Sequence, residues 1–227
     1  QTANKILLLA RTTPREEGKK PTDGITMFYT DFDRKYCEAQ VIEKMGRKAV
    51  DSNATFYDNL PVPVEDRIGE EGKGFRYILD GMNAERVLVA SESLGDGRWF
   101  TEKAVAYANE REVFGAPIGA NQGVQFPIAR HYASLKAAEL MVRQAAALFD
   151  AGQPCGAEAN MAKMLSSEAA WELADVCMQT YGGFAFAKEY DIERKWREAR
   201  LYRTAPISTN LILAFVAQHV LGLPRSY

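Results

Sequence analysis

The 227-residue sequence has only three cysteines and two histidines. Cys37, Cys155 and Cys177 are odd in number and far apart. That pattern matches neither a disulfide framework nor a zinc spacing, and fits a reducing compartment, cytoplasm or mitochondrial matrix. His131 and His219 are too few and too scattered for a histidine-based metal centre, so no metal is expected. No apolar run approaches the ~18–20 residues of a membrane span, and no signal-peptide pattern precedes the first strand-like segment. Lys and Arg number 28 against 30 Asp and Glu, for a net charge of −2, and occur in nothing longer than pairs. That leaves no electrostatic basis for a nucleic acid or an anionic membrane as partner.

What is present is a globular composition, 47% hydrophobic and 26% charged, enough for one large domain or two small ones. Residues 3–11, 24–31, 36–47 and 53–62 are rich in Ile, Val, Phe, Tyr and Thr and are separated by polar loops. They read as four antiparallel strands of an incomplete sheet whose edges need another segment. The chain also starts at Gln1 and runs almost at once into Lys5-Ile6-Leu7-Leu8-Leu9-Ala10-Arg11, so a missing amino-terminal part is expected. At Leu60-Pro61-Val62-Pro63 the pattern changes. Prolines end the last strand, a Gly-rich turn follows at 69–74, and everything beyond has helical periodicity. The expected organisation is α+β and multidomain: part of a β-domain over 1–66, then an antiparallel helical bundle over 67–227. Helices are expected over roughly 72–119, 122–150, 156–181, 189–199 and 208–221. The small-residue stripes at Ala137-Ala138, Ala145-Ala146-Ala147 and Ala169-Ala170 would allow close approach between helices or subunits.

The first of these helices carries Phe75, Ile78, Leu79, Met82, Val89 and Ala90 at three-and-four spacing, a stripe expected to face a core. Glu85 lies within it, and its neighbours Gly81, Met82, Leu88 and Val89 cannot neutralise a carboxylate. A carboxylate partly withdrawn from water and lacking a local partner is a candidate proton acceptor. Glu92, two turns on, has similar surroundings, so local pattern does not choose between them. Arg111 is 26 residues beyond Glu85, a separation of roughly 39 Å on one continuous helix. If both act, they act on different sites or on ligands shared between subunits. An Arg at that helix end could clamp a phosphate, or could be solvated and balanced by Glu110 and Glu112.

Met178-Gln179-Thr180-Tyr181-Gly182-Gly183-Phe184, with Glu193-Arg194 and Arg197-Glu198-Ala199-Arg200 downstream, resembles the carboxy-terminal signature of the acyl-CoA dehydrogenases. Arg111-Glu112-Val113-Phe114-Gly115-Ala116-Pro117-Ile118 with Gln122 resembles a second signature of that family, at the matching distance upstream. Lys44-Met45-Gly46, Phe56, Val62-Pro63 and Gly69-Glu70-Glu71-Gly72-Lys73-Gly74-Phe75 resemble the stretch joining that family's β-domain to its helical domain, so the resemblance covers essentially the whole chain. Ala185 and Asp191 depart from the family's usual Gly and Pro.

The resemblance implies FAD as cofactor, bound across a homodimer or homotetramer. Arg111, Phe114 and Gln122 would contact the FAD of a neighbouring subunit, and Gln179, Gly182 and Gly183 its adenosine and pyrophosphate portion. Thr209 would be a further cofactor contact. The implied reaction is α,β-dehydrogenation of an acyl-CoA thioester, with an electron-transfer flavoprotein reoxidising the flavin. Many members carry the base in a Glu-Gly-Thr segment, but here that stretch reads Arg203-Thr204-Ala205-Pro206-Ile207-Ser208-Thr209-Asn210 and no carboxylate stands at 206 or 207. Matching Thr209-Asn210 to the family's Thr-Asn puts Ile207 at the base position. Another branch, which includes isovaleryl- and long-chain-type members, carries its base on the long helix in a segment ending Glu-Arg. Met82-Asn83-Ala84-Glu85-Arg86 resembles that segment, which favours Glu85 over Glu92 and sets Arg86 and Met82 on the substrate side. Two other readings stay open: a non-catalytic flavoprotein subunit of a hetero-oligomer, and a same-fold oxidase of a non-thioester.

Overall fold

The computed structural model describes residues 1–225. They divide into two compact units, one over Gln1–Met82 and one from Asn83 onward, and the division falls within one long helix.

In the first unit, β1 (Lys5–Arg11) and β2 (Ile25–Asp31) pair antiparallel with Leu8 opposite Phe28, and the short β5 (Arg67–Ile68) adds to the other edge of β2. β3 (Cys37–Val41) and β4 (Asn53–Tyr57) form a separate antiparallel pair with Ala39 opposite Thr55. The single four-stranded sheet expected from sequence is therefore two sheets. Strand character is local, whereas the choice of partner depends on which edge is free in the folded chain. A buried threonine, Thr26, organises the sheet's junction with the helix that follows. Thr26 Oγ1 lies 2.7 Å from Thr12 Oγ1 and accepts the Gly72 N–H at 2.8 Å. A Cβ at Gly74 would sit 2.4 Å from the Met27 nitrogen, so only glycine lets the next helix start this close to β2.

That helix, α1 (Gly74–Glu110), runs 37 residues without a break. Gly115 and Pro117 follow it in a small hairpin made of β6 (Glu112–Val113) and β7 (Ala116–Pro117), so the expected helical pattern to 119 ends nine residues early. α2 (Gln122–Asp150) is capped by the Asn121 side chain, which accepts the Gly123 N–H. α3 (Gly156–Tyr181), α4 (Ile192–Ala199) and α5 (Thr209–Phe215) complete the second unit, and a single π turn at Val216–Val220 extends α5. The expected start at 189 is corrected to 192. Residues 188–190 form a 3₁₀ turn that ends at Asp191, whose φ of 66° breaks the helical run.

The core of this unit interleaves Phe100 and Leu94 of α1, Leu135 and Val142 of α2 and Leu173 of α3 with buried alanines, Ala145 and Ala170 among them. The small-residue stripes thus serve packing within the bundle, although Ala137 and Ala147 face outward. Among the described residues no helix is long and apolar enough to cross a membrane. One buried carboxylate, Glu139 of α2, ties the bundle's charges together. Its oxygens take Lys136 Nζ at 2.6 Å, Arg143 Nη2 at 2.7 Å and Arg98 Nη2 of α1 at 3.0 Å. These donors, led by Lys136, hold its pKa down to about 2, against an ordinary 4.5.

Because the folded value is the depressed one, the stabilisation is present above the unfolded carboxyl's range and is lost as pH falls through the folded value. Glu139→Gln is expected to lower the thermal midpoint at pH 7. The gap from wild type should close as pH is taken from about 4.5 to about 2, read by melts across that range. A gap independent of pH would remove Glu139 as an ion-pair hub.

Candidate functional site

Two groups of side chains lie at the two ends of α1's stretch through the helical unit. At the carboxy-terminal end, the Arg111 carbonyl accepts the Ile118 N–H at 2.8 Å and closes the β6–β7 hairpin. Both residues at its tip have positive φ, 55° at Phe114 and 81° at Gly115. A bulky aromatic held left-handed is uncommon, and here its ring is also fully exposed, the opposite of what packing within this chain would select. Tyr107 of α1 stacks on Tyr181 of α3 at 4.1 Å, so the hairpin is set beside the last turn of α3.

At that turn Gly182 caps α3 with φ 57° and ψ −132°, a backbone region open in practice to glycine alone. Its N–H reaches the Gln179 and Met178 carbonyls. Gly183 has no such requirement, and a Cβ built there meets nothing within 4 Å. Nothing in the chain's own packing calls for glycine at 183. The open surface beside it leaves room for a bound group to approach the backbone closely.

Three neighbouring clefts share these walls. One of about 460 Å³ is lined by Arg111, Thr180, Gly182 and Gly183, and a second of about 660 Å³ by Phe114, Asn121, Gln179 and Thr180. A third of about 680 Å³ takes in Gln179, Gly182, Lys188, Trp196 and Arg197. The Trp196 Nε1 is buried without a hydrogen-bond partner among the described residues. Five residues expected from sequence, Arg111, Phe114, Gln179, Gly182 and Gly183, are thus brought together. Gln122 is exposed on the first turn of α2, outside these walls, and Thr209 opens α5 with its Oγ1 3.5 Å from the Arg203 carbonyl.

The other group stands near the opposite end of α1. Its continuity puts Glu85 and Arg111 about 39 Å apart along the axis, so one chain cannot close both around a small ligand. Burial here corrects the expected stripe. Glu85 is exposed, and the buried member of the pair is Arg86. The core face runs through Arg86 and Ala90, the latter a member of the expected stripe, while Met82 and Val89 are half-buried on its flank and Glu85 falls outside it. Arg86 Nη1 donates to Asn83 Oδ1 at 2.7 Å, while its Nε is buried without a partner among the described residues. Burial lowers its pKa, with the adjacent Glu85 opposing the shift. Met82 is half-buried and Glu92 exposed.

Sequence reasoning missed Lys163 of α3. It is fully buried, and its Nζ donates to the Ile207 carbonyl at 2.7 Å, inside the segment that lacks the carboxylate. The available signal was a lysine whose helical neighbours Ala159, Asn160, Ser166 and Ser167 are all small or uncharged.

With this geometry in place, comparison with known proteins is decisive. The model of the acyl-CoA dehydrogenase carboxy-terminal domain matches residues 72–221. The chain belongs to the acyl-CoA dehydrogenase family. It is 35% identical over 234 residues to the acyl-CoA dehydrogenase FadE12 of Mycobacterium tuberculosis, a match covering 99% of this chain and 58% of that protein. Among solved structures, the glutaryl-coenzyme A dehydrogenase–glutaryl-CoA complex superposes with a TM-score of 0.90 at 29% identity, covering 99% of this chain and 56% of that one. PigA with FAD and proline superposes at 0.91 and 25% identity, with 98% and 57% covered. The chain therefore spans a little over half the length of these relatives.

The two glycines separate by experiment. Gly182→Ala is expected to destabilise the fold by about 1–3 kcal/mol through its backbone, and Gly183→Ala by less than about 0.5 kcal/mol, in denaturant melts. Equal costs at both positions would contradict the open surroundings of Gly183.

Proposed function

We propose that the protein containing this chain is an FAD-dependent acyl-CoA dehydrogenase that converts an acyl-CoA thioester to the trans-2-enoyl-CoA. The single observation that carries this is the division of the family's motif residues between the two ends of one unbroken helix, with five of them lining adjoining clefts at one end. Each chain then contributes Glu85 to one site and Arg111, Phe114, Gln179, Gly182 and Gly183 to another, in a homodimer or homotetramer. Arg111 supplies charge to the pyrophosphate. A bound cofactor would give the exposed Phe114 ring a partner, and the bare backbone at Gly182-Gly183 allows close approach. Gln122 and Thr209 are further cofactor contacts.

FAD, when bound, supplies the acceptor for the hydride that leaves the β-carbon. Glu85 removes the α-proton, breaking that C–H bond and forming its own O–H, while the electron pair left behind becomes the α,β double bond. Its exposure in this chain is the condition for reaching a substrate carbon. Arg86 lies beside it with the buried, unpartnered Nε described above, a donor available on the substrate side together with Met82. We place the domain boundary between 66 and 67, ahead of the compact-unit division after Met82, with an electron-transfer flavoprotein as the reoxidant. One observation favours a second reading, a non-thioester substrate on the same fold: the likeness to PigA with FAD and proline.

Anaerobic mixing of the full-length holoenzyme with acyl-CoAs of graded chain length tests the choice, since flavin bleaching by any of them supports the thioester reading. Glu85→Gln is expected to keep FAD and to slow that bleaching by a factor on the order of 10² or more, and wild-type speed with every thioester would return the role to Glu92 or to none. Glu85→Gly with Ile207→Glu should restore part of the rate. Arg111→Ala should weaken FAD retention by ~1.5–3 kcal/mol, and unchanged occupancy after dialysis would remove it from the cofactor site.

A further inference from the structure

Lys163 has no part in the reading above, although it is fully buried. It rises from α3 among Ala159, Ala162, Ser166 and Ser167, and its hydrogen bond goes 44 residues along the chain to the Ile207 carbonyl. No ion pair neutralises it among the described residues. Glu168 acts on it only at longer range, and burial brings its pKa down to about 8. A desolvated ammonium given a carbonyl in place of a carboxylate is costly, and an apolar side chain of similar volume would often be the more stable choice. Packing alone therefore does not account for a lysine here.

The place it holds is specific. Backbone bonding on one side ends at Ala205, whose N–H reaches the Leu201 carbonyl, and resumes at Ser208, whose side chain and carbonyl cap α5 by accepting from Leu211 and Ile212. Between these anchors, Pro206 has no N–H to give. Lys163 fastens the stretch from α3, a rigid 26-residue helix.

We propose that Lys163 is a positioning residue. From α3 it holds the Ile207 carbonyl and so fixes the Pro206–Ser208 segment as the wall of the substrate pocket across from Glu85. This rests on the reading in which Ile207 stands where other members place their base. A wall fixed by a buried bond keeps the α-carbon within reach of Glu85, and small misplacements of reacting groups are expensive in rate.

The test compares wild type with Lys163→Met in the FAD-loaded full-length protein by amide hydrogen exchange and by stopped-flow flavin reduction. Exchange over residues 204–210 should accelerate by about tenfold or more, with α2 and α3 unchanged. The limiting reduction rate should fall by about tenfold, with the acyl-CoA Kd and FAD content within about threefold of wild type, a split that a general loss of structure would not produce. Lys163→Gln, a donor on a shorter stem, is the second arm if the methionine variant does not fold, and should show the same two changes at several-fold size. Unchanged exchange over 204–210, or a limiting rate within twofold of wild type in a folded variant, overturns the proposal, as does failure of both variants to fold. If no acyl-CoA bleaches the wild type, the reaction assigned above falls, while the exchange comparison still decides the clamp.

Discussion

An unbroken helix sets the distances on which the rest depends. Because α1 continues without a break through the second unit to Glu110, its residues there hold fixed positions along one axis, and the hairpin at Arg111 is held at the far end from Glu85. No loop or hinge within α1 can bring the two together. On the proposed reading the site is therefore composite, since one chain cannot close both ends around a small ligand. Residues that look like parts of one catalytic apparatus in the sequence become contributions to two separate ends.

Small residues and a few buried charges make that helix's packing possible. Alanines at Ala145, Ala162 and Ala170 leave little bulk between α2 and α3, and a Cβ at Gly97 would come within 2.6 Å of Leu135. Into these tight crossings the chain inserts polar anchors: Glu139 gathering three cations, Lys195 paired with the buried Asp96 of α1, and Lys163 on the Ile207 carbonyl. Each joins elements distant in sequence: α2 to α1, α4 to α1, and α3 to the segment before α5. Low dielectric around them makes every such bond consequential.

Much of this was legible beforehand. α2 and α3 begin and end where Asn121, the 151–154 break and Gly182 place them, because caps and breakers act locally. The partition into strands then helices was equally plain from the prolines at 61 and 63. What escaped was nonlocal. Four strands could be seen, but not that β3 and β4 pair apart from β1 and β2. Glu85 looked half-buried because its helical neighbours are apolar, yet burial is decided by what packs from outside the helix, and that face belongs to Arg86. Trp196 and Lys163 gave no motif at all, since their significance lies in an unpartnered nitrogen and a bond to a carbonyl far along the chain.

A composite site makes a quantitative demand on mixed oligomers. Protomers bearing Glu85→Gln and protomers bearing Arg111→Ala, each inactive on its own at limiting FAD, can be unfolded together and refolded as hybrids. If a site draws Glu85 from one chain and Arg111 from another, each hybrid pair contains one site with both residues intact. Random mixing should then recover about a quarter of wild-type flavin reduction. If each chain builds its own site, every site in the mixture keeps one defect, and the hybrid preparation will be no more active than its two parents.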